Sequence, residues 1–187
     1  MRIQCLDGEW SLKRPNTDES FHAVVPGSVH VDLMSAGVIP DCSWSDNEYK
    51  VAWVAESEWL YSRQFDVDKD LCGSDRIFLA CDGLDTISTI RLNGTEIGKT
   101  DNMHRRYEFD VTSLLNDGSN GLEVEFASPV KHATSLASED SLVVTPGDSI
   151  NGSPYLRKAM YQWGWDWAPK IPTSGIWRSI SLAGYST

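Results

Sequence analysis

The 187-residue sequence has no apolar run approaching the length of a bilayer span. It is also short of positive charge: 16 Lys and Arg stand against 27 Asp and Glu, a net charge of −11. A surface of that sign repels phosphate backbones and anionic lipid, so neither nucleic acid nor membrane is expected as a partner. Cysteine is sparse. Cys5, Cys42, Cys72 and Cys81 are far apart and form no C-x-x-C pair, which argues against zinc and thioredoxin-like centres and fits free thiols. The opening MRIQCLDGEW carries an acid at Asp7 and no apolar h-region, so a secretory signal is not expected and the expected compartment is the reducing cytoplasm.

Motifs that carry chemistry are missing too. His22, His30, His104 and His132 are scattered with no H-E-x-x-H spacing, and are expected at the surface or in local hydrogen bonds. Asp66, Asp68 and Asp70 alternate like the start of a calcium loop, but Leu71 and Ile77 occupy the places of its turn glycine and terminal glutamate. No G-x-S-x-G elbow or phosphate-cradling glycine loop is present. Acids are plentiful, yet a glycosidase pair is defined by a separation in space of about 5 to 10 Å, which sequence distance does not supply. No metal motif and no cofactor is therefore expected, a calcium ion held by some other loop stays open, and no catalytic residue is named from these motifs.

What is present is strand. EWLYSRQFDV (58–67) places Trp59, Tyr61 and Phe65 on one parity, with Arg63 the polar exception. DRIFLACDGL (75–84) precedes TISTIRLNGTEIG (86–98), where Asn93-Gly94 suits a two-residue type I′ hairpin turn and also begins a glycosylation pattern. Further strands are expected within 105–115, 120–130 and 175–184, the last with Ile176, Arg178, Ile180 and Leu182 on one face. One helix is expected, SVHVDLMSAG (28–37), opened by Ser28 and closed by Gly37. The class is all-β, a sandwich or barrel in a single domain over 1–187. Residues 132–154, rich in Ser, Asp and Gly with only a short apolar LVV (142–144) inside, read as a long excursion that ends in a second glycosylation pattern, Asn-Gly-Ser at 151–153.

That excursion leads into MYQWGWDWAP (160–169), where Trp163, Trp165 and Trp167 surround Asp166. As a strand the three indoles would share one side; a turn would break that rule, and Pro169 and Pro172 oppose a long central strand. Two readings stand. Indole faces and a carboxylate suit the C–H surface and hydroxyls of a pyranose. Alternatively the tryptophans fill the core, against which Asp166 stands, since an unpaired buried carboxylate is costly.

LDGEWSL (6–12), VPGSVHVDLMSAGVIPD (25–41), DNEYKVAWV (46–54), EWLYSRQFDV (58–67), CDGLDTISTIRLNGTEIGKTDNMHRRYEFDVTSLL (81–115) and RKAMYQWGWDWAPKIPTSGIWRSISL (157–182) run in an order that resembles the N-terminal domain of β-mannosidases in glycoside hydrolase family two. TDNM, GWDW and the following P-x-SGIW are its most specific pieces. The resemblance covers nearly the whole chain. It implies a jelly-roll-like β-sandwich of the galactose-binding type, followed in the full enzyme by immunoglobulin-like domains and a catalytic barrel bearing the two glutamates for retaining cleavage of terminal β-mannose. It further implies that the WDW segment reaches the barrel mouth, with Asp166 binding sugar hydroxyls, Trp165 giving an apolar wall and Trp167 supporting them, while Trp163 and Trp167 remain candidates for core. Arg157 is a candidate to position the segment or pair with Asp166. The chain departs from the family pattern at Ala168, where WDWGP has glycine, and at Cys42 and Ser45, where Pro or Ser, and Gly, are more usual. A free-standing carbohydrate-binding module and a structural docking domain are the competing readings.

Overall fold

The computed structural model describes residues 1–139 and 150–186. In chain order the strands are β1 (Arg2–Cys5), β2 (Gly8–Lys13), β3 (Ser20–Val25), β4 (Trp59–Asp66), β5 (Arg76–Cys81), β6 (Leu84–Asp85), β7 (Ser88–Leu92), β8 (Thr95–Thr100), β9 (Tyr107–Asp110), β10 (Ser119–Phe126), β11 (Trp163–Trp165), β12 (Ala168–Lys170), β13 (Gly175–Ile176) and β14 (Ile180–Tyr185). The helices are α1 (Val29–Ser35), α2 (Asn47–Ala55) and α3 (Pro129–Glu139). A six-stranded sheet in the order β3-β2-β4-β10-β7-β8 faces a four-stranded sheet β1-β14-β5-β9 across a shared core, with the two-stranded pairs β11-β12 and β13-β6 beside them. This is a β-sandwich.

Period-two patterning sets the inner face. Trp59, Tyr61 and Phe65 are buried as their parity predicts, and Asn120, Leu122, Val124 and Phe126 do the same on β10. Register aligns Ile90, Val124, Tyr61 and Leu12 in one row across four strands. The Tyr61 ring meets Phe126 edge-on at 5.8 Å. From the other sheet Leu79, Cys81, Ile180 and Leu182 complete the core. Arg63, the polar exception, donates to the carbonyls of Leu6 and Asp7 at 3.0 and 2.7 Å. Asn93 and Gly94 both have positive φ, 52° and 78°, as the hairpin turn between β7 and β8 requires. All four cysteines are unbridged, and burial pushes the Cys81 thiol up to about 12, an inert group.

Four expectations need correction. There are three α-helices among the described residues, not one. α2 was hidden because its buried Val51, Val54 and Ala55 alternate with exposed Tyr49 and Ala52, leaving no clean apolar stripe. α3 occupies the start of the supposed excursion and buries only Pro129 and Ala133, small groups that packing uses but periodicity does not register; the LVV at 142–144 lies outside the described residues. The final strand is split: β13 pairs with β6 while β14 pairs with β1 and β5. Ile176, Ile180 and Leu182 are buried, but Arg178 turns outward over the Trp177 ring at 4.3 Å.

Helix α1 forms where expected, though Ser28 makes no side-chain cap bond. Its C-terminus closes through Gly37 N–H to Met34 and Val38 N–H to Leu33, a Schellman pair. Asp32 fastens it to the six-stranded sheet, accepting from Tyr61 Oη at 2.7 Å and from Val24 N–H at 3.0 Å. Burial raises the Asp32 carboxyl pKa, with both hydrogen bonds opposing.

Candidate functional site

The tryptophan segment is a hairpin. Trp163 pairs with Lys170 and Trp165 with Ala168, so Asp166 and Trp167 form a two-residue turn, and Pro169 falls between the paired positions where its missing N–H costs no ladder bond. The turn breaks the alternation expected of a strand. Trp163 is 1% exposed, packed with Ala133 of α3 and Leu156 in a small core of its own, edged by Ile87, Val130 and Ile150. Trp165 is 50% exposed, Trp167 70%, and Asp166 is exposed between them. Core filling thus holds for Trp163 and fails for Trp167, which the structure places outermost.

Among the described residues no group donates to Asp166 or forms an ion pair with it, so its four lone-pair directions are open to a partner. Arg157 does not pair with it. Its side chain is exposed, and its backbone is what matters: Arg157 bridges Asn102 in parallel and accepts from Met103 N–H at 3.0 Å. The Ala159 amide lies 3.1 Å from Met103 Sδ, and Trp177 Nε1 donates to Met103 O at 3.1 Å. TDNM and the two ends of the 157–177 segment, RKAM before the hairpin and SGIW after it, therefore meet at its base. The glycine of SGIW is required there: Gly175 has φ 150°, and a Cβ on it would lie 2.8 Å from Ser28 Cα.

Beneath the hairpin sits a buried ion pair. Lys158 Nζ lies 2.6 and 2.5 Å from the two Asp85 oxygens and 2.6 Å from Thr173 O, using all three of its donors. The Thr173 hydroxyl is 2.8 Å from Asp85 Oδ2 and 3.0 Å from Gln162 Oε1, sharing one proton between them. Asp85 also accepts from the Thr86 hydroxyl. Burial pushes the Lys158 ammonium pKa down, and Asp85 opposes that. Close by, His30 is buried with no partner for Nδ1 among the described residues; burial first, then the Lys158 charge, lower its pKa to about 4, with Asp85 pulling the other way. The expectation that the histidines are surface or locally bonded fails at this one. On the other flank, the Lys170 amide donates to Glu48 Oε2 of α2 at 2.7 Å.

Sequence reasoning did not find Lys158, Asp85, Gln162, Thr173 or Glu48. Asp85 offered a weak signal, an acid inside the strand-like run LDTISTI; Lys158 offered none, because its partner is 73 positions away. Of the departures from the family pattern, Ala168 is harmless, since it lies in β12 without positive φ. Ser45 is different: its φ is 56°, the left-handed region that a glycine adopts freely.

Most of the chain, residues 10–178, matches the profile of the glycosyl hydrolase 2 galactose-binding domain-like family. It is 33% identical over 188 residues to a β-mannosidase of Capra hircus, covering 97% of this chain and 21% of that protein. Against β-mannosidase B of Aspergillus niger the identity is 40% over 171 residues, 88% of this chain and 20% of the relative. The solved β-D-mannosidase of Dictyoglomus thermophilum superposes with a TM-score of 0.94 at 43% identity, over 100% of this chain and 23% of that one. An exo-chitosanase of Amycolatopsis orientalis shares the fold at a TM-score of 0.71 and 18% identity. The chain spans about a fifth of the length of the curated relatives it matches.

Proposed function

The chain belongs to the glycosyl hydrolase 2 galactose-binding domain-like family, and from that premise we propose that it is the N-terminal accessory domain of a β-mannosidase, supplying part of the sugar pocket and none of the proton-transfer groups. In the full polypeptide a catalytic barrel, reached past immunoglobulin-like domains, supplies the carboxylate pair for retaining cleavage of a terminal β-mannoside. One observation carries the reading: the Trp165–Asp166–Trp167 turn has both indoles and the carboxylate exposed, with no partner for Asp166 among the described residues. A lone hairpin contacts only one side of a sugar. Asp166 accepts hydrogen bonds from ring hydroxyls, Trp165 packs against the C–H face, and Trp167 backs the turn.

The test is the kinetics of Asp166→Ala in the full-length enzyme. A carboxylate hydrogen bond to the sugar is worth about 1.5 to 3 kcal/mol, so kcat/KM for an aryl β-mannoside is expected to fall by roughly one to two orders of magnitude. Unchanged kinetics would overturn the sugar role and leave a docking surface.

A further inference from the structure

Chain enters the hairpin through residues 156–162 and leaves it through 171–174. These two roots are joined at one buried point. Lys158, on the entering side, holds the Thr173 carbonyl on the leaving side, and both hold the carboxylate of Asp85. Gln162 adds a second tie: its side-chain oxygen lies 3.3 Å from the Thr173 amide and 3.0 Å from the Thr173 hydroxyl, and its carbonyl accepts from Ile171 N–H at 2.9 Å. Asp85 is tied to the sandwich core through Leu84 beside it and through Ile176, the partner of Leu84 in the β6–β13 pair, both of which lie in that core. Both charged side chains are sealed from water, Lys158 at 0% and Asp85 at 3% exposure. Apolar residues of similar size would pack as well there, and a buried pair is weak evidence of stability by itself. What a directed pair adds is one fixed geometry.

We propose that Lys158 and Asp85, with Thr173, are positioning residues for the Trp165–Asp166–Trp167 turn, clamping both roots of the hairpin to the sandwich and so fixing where the turn points. Hydrophobic contact at the hairpin comes mainly from Trp163, which anchors one strand. Directional bonds at the roots are what set its angle. The value of that angle to catalysis rests on the sugar-pocket reading; the clamp itself does not.

The test follows the hairpin without any sugar. The chain is labelled with 5-fluorotryptophan, its Trp165 and Trp167 resonances are assigned by single Trp→Phe variants, and amide exchange is followed in residues 163–170 and in β10. Lys158→Met and Thr173→Val are expected to move both resonances and to speed exchange in the hairpin roughly tenfold relative to β10. Leu92→Ala, a buried truncation on β7, is the control: it lowers global stability while leaving hairpin exchange in step with the sheet. If Lys158→Met does not fold, Thr173→Val, which keeps both charges, decides alone. Resonances at wild-type positions with hairpin exchange tracking β10 would overturn the clamp. A loosened hairpin together with unchanged Asp166→Ala kinetics would sustain the clamp and remove the sugar reading instead.

Discussion

Trp163 and Trp165 are two residues apart on the same short strand and have opposite environments. The first loses nearly all contact with water between α3 and Leu156; the second keeps half its surface. Truncation should separate them cleanly. Trp163→Ala removes a buried ring and leaves a cavity that α3 cannot fill, a loss of about 3 to 5 kcal/mol. Trp165→Ala and Trp167→Ala leave stability within about 0.5 kcal/mol, because neither ring is packed in the core. Urea unfolding of the three variants checks this; a large loss at Trp167 would mean that its ring is buried after all. Ser45 offers a gain. At φ 56° it holds a backbone shape that costs a Ser side chain energy, so Ser45→Gly is expected to be neutral or to stabilise by up to about 1 kcal/mol, despite the greater unfolded-state entropy of glycine.

At the scale of elements, α1 carries a pH dependence. His30 is buried near the Lys158–Asp85 pair with a pKa lowered to about 4, whereas the unfolded chain titrates it near 6.5. Unfolded molecules then bind the extra proton first as pH falls, so the stability present above the unfolded pKa is lost on acidification toward 4. From about pH 7 to about pH 5 this single group accounts for a loss of about 2 kcal/mol. Denaturation midpoints measured across that range should fall, and His30→Gln should flatten the fall; an equal slope in both proteins would mean that another group is responsible. The elements also differ in how well the sequence discloses them. β4, β10 and the Asn93-Gly94 hairpin were legible because alternation and turn chemistry are local. Helices α2 and α3 were not, since each buries a few small or β-branched groups against a neighbour remote in sequence. The hairpin at 163–170 was half legible: Pro169 argued against a long strand, but nothing local said which indole would be covered.

For the whole molecule, the sandwich is a scaffold that presents one turn. On the proposed function the proton-transfer groups lie on another domain, so the 187-residue chain alone is expected to show no turnover of aryl β-mannosides, and mannose should bind it weakly or not at all by calorimetry. Strong titration that disappears with Trp165→Ala would favour a self-sufficient carbohydrate-binding module, and turnover would mean that a carboxylate pair lies within these residues. The sequence by itself determined the all-β class, the parity of the principal strands, the excess of negative charge and the family likeness, because each of these is written in residue type and short spacing. Only the tertiary structure decided that Trp163 is covered while Trp165, Asp166 and Trp167 are displayed, and that Lys158 meets Asp85. Burial and ion pairing depend on which distant segments arrive at the same place, and chain-local chemistry carries no record of that.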